Sequence, residues 1–140
     1  MSRQQPVHIT EAELRILKAV WSLGSATVRD VKDYVESAGG DPPAYTTVMT
    51  LMNQLANKGA LKVDKARQPF VYTAALRREQ VLRERLRSFL ATVFDGQAGE
   101  LVLRLVEDEG LTADDLRRIE QRIEDREKRR SGTDGEGGAS

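Results

Sequence analysis

Residues 42 to 57 carry no charged side chain, although 31% of the chain is charged and roughly five charges would be expected in such a stretch. The segment offers neutral hydrogen-bonding and methyl groups instead: Tyr45, Thr46, Thr47, Met49, Thr50, Asn53, Gln54 and Asn57. An amide can pair with adenine through two parallel hydrogen bonds, a hydroxyl can donate or accept, and Thr and Met methyls suit the methyl of thymine. Immediately beyond lie Lys58, Lys62, Lys65 and Arg67, four bases against the single acid Asp64. Cations so placed neutralise phosphates and give affinity without sequence information. A neutral reading face bordered by bases is chemistry for double-stranded DNA. The same pattern also fits a solvated or partner-facing surface, so a protein-interaction module that ignores DNA stands as the alternative.

Other chemistry is poorly supplied. The absence of Cys excludes disulfides, thiolate metal sites and a cysteine nucleophile. The single His, His8, falls in a polar lead-in, where a surface role fits better than a metal cage or a Ser-His-Asp triad. Glu107-Asp108-Glu109 and Asp114-Asp115 read as a connection and a helix start rather than as a catalytic carboxylate pair. No enzymatic activity, cofactor or metal is expected. The 22 bases balance 22 acids and the pI is near 6.6, so a nucleic-acid reading rests on local placement, not bulk charge.

Positioning these groups requires elements, and the sequence marks them. Thr10-Glu11-Ala12-Glu13 is a capping box flanked by the staple pair Ile9 and Leu14. Leu14, Leu17, Val20 and Trp21 then form one apolar stripe, and Gly24 ends that helix. A second helix opens at Thr27 and buries Val28, Val31 and Val35 before the breaker Gly39-Gly40-Asp41-Pro42-Pro43. The third, Ala44 to Lys58, has Val48, Leu51, Met52 and Leu55 on one face and stops at Gly59. Leu61-Lys62-Val63 and Phe70-Val71-Tyr72 alternate as a β-hairpin. Helix, helix, helix, hairpin is the order of a winged helix-turn-helix, whose third helix enters the major groove.

From residue 76 the pattern becomes long, Arg-rich and helical. Leu82, Leu86, Phe89 and Val93 make a stripe before Asp95-Gly96, Leu101 and Leu105 lie in a compact apolar helix, and Leu116, Ile119 and Ile123 line a last helix capped by Thr112 and Asp115. The run Arg77, Arg78, Arg83, Arg85 and Arg87 reads as a solvated edge. Three helices appended to a compact domain have little to pack on unless they meet a copy of themselves, so a homodimer is expected ahead of a self-contained helical cap, with two reading helices on one inverted repeat. The sequence thus predicts a mainly α fold with a β-hairpin wing: a winged-helix domain over 1–75, a helical dimerisation domain over 76–130 and a disordered tail over 131–140. No apolar run is long enough to span a bilayer and MSRQQP is not a signal peptide, so no membrane partner and a cytoplasmic location are expected.

The strings TEAELRILKAVWSLGSATVRDV, AYTTVMTLMNQLANKGAL and ELVLRLVEDEGLTADDLRRIEQRI resemble the penicillinase-repressor (BlaI/MecI/CopY) family over roughly residues 7 to 127. The resemblance implies a dimeric winged-helix repressor on a palindromic operator. It places Thr46, Thr47, Thr50 and Gln54 on the recognition helix and Lys65 and Arg67 on the wing. The chain departs from the family at three points. Its reading helix is neutral where relatives often carry Arg or Lys, at the position of Gln54 for example, so their operators do not transfer. It lacks the cysteines of the copper-responsive branch. Where the antibiotic-responsive branch is cut between Asn and Phe, this chain has Arg104-Leu105, so a regulatory protease, if one acts there, must accept a different bond.

Overall fold

The computed structural model describes residues 7–138. The chain runs α1 (Glu11–Leu23), β1 (Ser25–Ala26), α2 (Val28–Ser37), α3 (Tyr45–Asn57), β2 (Leu61–Asp64), β3 (Val71–Ala74), α4 (Arg78–Val93), α5 (Ala98–Asp108) and α6 (Ala113–Gly138). Both early helices begin on complete capping boxes: Thr10 with Glu13 for α1, and Thr27 with Asp30 for α2. In each, the hydroxyl takes a free N–H of the first turn while the carboxylate takes that of the cap residue. At the other end of α3, Gly59 adopts φ +81°. That left-handed step lets Ala60 N–H reach Leu55 O (2.9 Å) and Gly59 N–H reach Ala56 O (3.1 Å), the paired bonds of a Schellman stop.

The sheet is antiparallel in the order β1-β3-β2, with Ala26 opposite Tyr72 and Val63 opposite the same Tyr72 on the other side. The hairpin lies where the alternation puts it, whereas β1 carries no sequence signal: two residues become a strand because β3 offers them an open edge. Three helices on a three-stranded sheet make this a winged helix-turn-helix. Its core joins Ile16, Leu17, Ala19 and Val20 of α1 to Val31 and Val35 of α2, Val48, Met52 and Leu55 of α3, and Leu61 and Tyr72 of the sheet. Trp21 is only partly buried; its indole N–H donates to Leu76 O at 3.0 Å.

This first compact unit extends through Arg87, beyond the boundary at 75 that the sequence suggests. Val81 is the reason, for at 3% exposure it completes the core, and Arg85, one helical turn on, donates to Ile9 O. The Arg77–Arg87 run therefore contains one structural arginine among its exposed ones.

The second unit, Ser88–Ser140, is built differently. Among its described residues none is buried. α6 opens on Thr112 and Asp115, whose carboxyl is held below its usual range first by the Thr112 N–H and then by Arg118. The sequence predicts fraying after Arg126 and a disordered tail; α6 instead continues to Gly138, and residues 139–140 lie outside the described residues. Lengthening an existing helix needs no new nucleus, only one more hydrogen bond per residue.

Candidate nucleic-acid interface

α3 divides cleanly between core and solvent. Val48, Met52 and Leu55 are fully buried, while Tyr45, Thr46, Thr47, Met49, Thr50, Asn53 and Gln54 are all exposed. Spacing sorts the exposed set into rows. Thr46, Thr50 and Gln54 follow one another at i, i+4 opposite the core, and Tyr45, Met49 and Asn53 form a flank beside them. All seven residues expected to read bases thus share one surface of one helix.

The flank is held from both sides. Tyr72, at 3% exposure, donates its hydroxyl to Asn53 Oδ1 at 3.1 Å. Burial, and to a lesser degree the neighbouring Tyr45, push the Tyr72 phenol above its usual pKa, so it remains a donor. Asn53 Oδ1 is thereby occupied and its NH2 group left to act outward. On the opposite side, the Arg29 guanidinium of α2 stands 5.3 Å from the Tyr45 ring centroid, in cation–π range. Sequence reasoning did not single out Arg29 or Tyr72, since the partners are 16 and 19 residues away and no local pattern joins them. Arg15 of α1 is a third such residue: it donates to Gly39 O and Asp41 O, fixing the loop that delivers α3.

The N-terminus of α3 differs from its neighbours. Ala44 is the cap residue and no side chain caps it, so first-turn N–H groups face outward at the end where the helix dipole favours anions. Lys62 lies on β2, and Lys65 and Arg67 in the β2–β3 connection; all three are exposed and none forms an ion pair with a described residue. Asp64, the acid among them, is exposed and stabilises the turn, with Oδ1 accepting from Ala66 N–H at 3.0 Å.

Lys58 belongs elsewhere. Expected among the phosphate-binding bases, it caps the C-terminus of α3 and reaches back to α1, with Nζ 2.6 Å from Glu13 Oε1 and 2.9 Å from His8 O. Glu13 is 1% exposed, so the lysine neutralises a buried carboxylate. Burial pushes the Glu13 carboxyl up, but the Lys58 hydrogen bond, the bonds to Thr10 and the Lys58 charge together bring it below its usual value. Lys58 locks the reading helix onto α1. His8 is exposed, as its sequence context suggests.

In the second unit the expected apolar stripes are present and uncovered. Phe89, Val93, Leu116 and Ile123 are exposed and Leu101, Leu105 and Ile119 half-buried; in the part of α4 that belongs to the first unit, Leu86 is exposed and Leu82 half-buried. Leu103 and Val106 of α5 are exposed as well, widening the apolar surface beyond the residues the stripes predict. Leu111, Ile119 and Ile123 line an open groove along α6. Arg104 and Leu105 sit in the middle of α5, with Arg104 3.6 Å from Asp108. Among the described residues no cluster of His, Cys, Asp or Glu could hold a metal ion, and no helix is long and apolar enough to cross a membrane.

The chain is 27% identical over 123 residues to the penicillinase repressor of Bacillus licheniformis, covering 87% of this chain and 94% of that one. It is 23% identical over 111 residues to the methicillin resistance regulatory protein MecI of Staphylococcus aureus, covering 79% and 89%. Among solved structures, the solution structure of monomeric Bacillus licheniformis BlaI in complex with the blaP half-operator matches at 28% identity and a TM-score of 0.44, covering 51% of this chain and 85% of that one. Residues 9–125, from the first core residue well into α6, match the family model described as penicillinase repressor, and the chain belongs to that family.

Proposed function

We propose that this protein is a homodimeric transcriptional repressor that binds a palindromic operator in double-stranded DNA through α3 and its wing. The observation that carries the reading is the uncharged, exposed row Thr46, Thr50 and Gln54, set between an uncapped helix N-terminus and the bases Lys62, Lys65 and Arg67. Phosphates taken by the N–H groups and the wing would fix register, leaving amide and hydroxyl groups to distinguish bases. Membership of a repressor family, with a relative solved on its half-operator, supports the same reading.

Dimerisation follows from the second unit. A segment with stripes of exposed Leu, Phe, Val and Ile and no buried residue gains little by folding alone; pairing with a second copy removes those faces from water, at roughly 25 cal/mol per Å² of apolar surface. The protein acts without catalysis and without a bound cofactor, in the cytoplasm where its DNA lies. Release by a regulatory protease at Arg104-Leu105 would require α5 to unwind locally, because that bond lies inside a helix.

Selection from a random duplex library with purified protein tests the reading. An enriched inverted repeat is expected, with half-sites spaced near one helical turn or a multiple of it. Binding at low salt that tracks only total DNA would overturn it, and the α3 face would then be a protein-binding surface.

A further inference from the structure

Between α2, α3 and the wing lies a cleft of about 370 Å³, lined on one side by Val28 and Arg29 and on the other by Tyr45, Met49, Asn53, Phe70 and Tyr72. Its walls are aromatic and aliphatic, and its polar groups are unusual in kind. Arg29 forms no ion pair and no hydrogen bond with any described residue; its contact is the Tyr45 ring. Asn53 presents its NH2 group, because Tyr72 already occupies its Oδ1. No Asp or Glu lines the cleft. Thr27, engaged in its helix cap, and the Gln68 amide also line it, so the chemistry on offer is one unpaired cation and two side-chain amides beside three aromatic rings.

We infer that this cleft binds a planar aromatic carboxylate, whose occupancy competes with DNA. A ring fits against Tyr45, Met49 and Phe70, where offset stacking and thioether contact favour a flat apolar body. The carboxylate meets the Arg29 guanidinium, which is planar, two-pronged and already oriented by Tyr45. A neutral aromatic would forgo the ion pair with that cation, and an aliphatic acid would forgo stacking on the rings. The size is at the lower end for small-molecule pockets, suited to one or two fused rings. Competition follows from shared residues: Tyr45, Met49 and Asn53 are also the flank of the proposed reading face, so the inference of competition rests on that reading, whereas the binding itself does not.

The probe is 2-naphthoate, compared with its neutral analogue 2-naphthamide and with cyclohexanecarboxylate. Titration into the full chain without DNA, followed by calorimetry and by amide chemical shifts, should give binding that is about tenfold weaker for the amide and for the aliphatic acid. Shifts should centre on Tyr45, Met49, Asn53 and Phe70. Arg29→Gln, an exposed position on α2 that leaves the core intact, should abolish the preference for acid over amide. Equal affinity for acid and amide, shifts centred on the α6 groove, or no binding at millimolar probe would overturn the site. With a duplex from the selection above, naphthoate should weaken wild-type DNA binding in step with its occupancy, and the amide and the aliphatic acid should do so only at about tenfold higher concentration; unchanged DNA affinity at saturating naphthoate would overturn competition. Failure of the protein to select any duplex would defeat the repressor reading and the competition with it, while the DNA-free titration still decides the site.

Discussion

Lys58→Met should destabilise the fold through Glu13 while leaving the salt dependence of DNA binding unchanged. Methionine keeps the length and apolar stem of the side chain, so the perturbation is confined to the ammonium group. Removing one partner of a buried ion pair costs about 3–5 kcal/mol. Here Glu13 retains its hydrogen bond from Thr10 N–H, and the Lys58 side chain is 32% exposed, so water compensates part of the loss. About 2–3 kcal/mol is expected near neutral pH. The pH dependence supplies the discriminating signature. In the wild type the Glu13 carboxyl lies below its usual value of 4.5, so its contribution is present above that value and lost as pH falls through the folded one. In the variant, burial acts unopposed by Lys58 and raises the same carboxyl. The difference between the two proteins should therefore shrink between neutral pH and an acid pH below the folded wild-type value, where Glu13 is protonated in both. Urea unfolding at fixed protein concentration measures it, with Glu13→Gln/Lys58→Met expected to recover most of the stability. A loss that is the same at both pH values, or below about 0.5 kcal/mol at neutral pH, would refute the buried-pair argument. A flatter salt slope for DNA binding would return Lys58 to the phosphate-contacting set.

The other predictions concern the DNA and dimer surfaces. Lys65→Ala should weaken operator and scrambled DNA alike and reduce the salt slope by about one, read from binding isotherms across a salt series; an unchanged slope would remove the wing from the phosphates. Gln54→Ala should cost about 1–3 kcal/mol on the operator, little on scrambled DNA, and alter the base preferred at one position in a repeated selection. Equal loss on both DNAs would deny it a reading role. Ile119→Glu should convert the dimer to a monomer by light scattering, since the charge would fall on a half-buried apolar stripe; an unaltered mass would count against that interface.

What the sequence made legible was local. Thr10 with Glu13 and Thr27 with Asp30 announce their helices because both members of each cap lie within four residues, and the Val48, Met52 and Leu55 face follows from the helical period. The charge gap over 42–57 pointed to the exposed face of α3 for the same reason: it is contiguous. What escaped was long-range. Lys58 looks like one more wing base until the fold brings Glu13, 45 residues earlier, against it. Val81 looks like the start of a separate helical domain until it is found closing the first core. Ser25–Ala26 has too few residues to show any alternation, and only the free edge of β3 makes it a strand. Arg29 on Tyr45 and Tyr72 on Asn53 are likewise products of packing, and no spacing rule relates them.

The neutrality of α3 also bears on how such a repressor finds its target in a cell. A basic reading helix adheres to any duplex, and the genome offers an immense excess of irrelevant sites. On the proposed reading, sequence-blind attraction is left to the N-terminus of α3 and to Lys62, Lys65 and Arg67, while the whole chain carries no net charge. Bulk chromosomal DNA is then a shallow reservoir. Few molecules would then be held idle on it, and occupancy of the operator would follow total copy number closely. Regulation by changing the number of intact protein molecules becomes correspondingly direct, without a large adsorbed pool to buffer each loss.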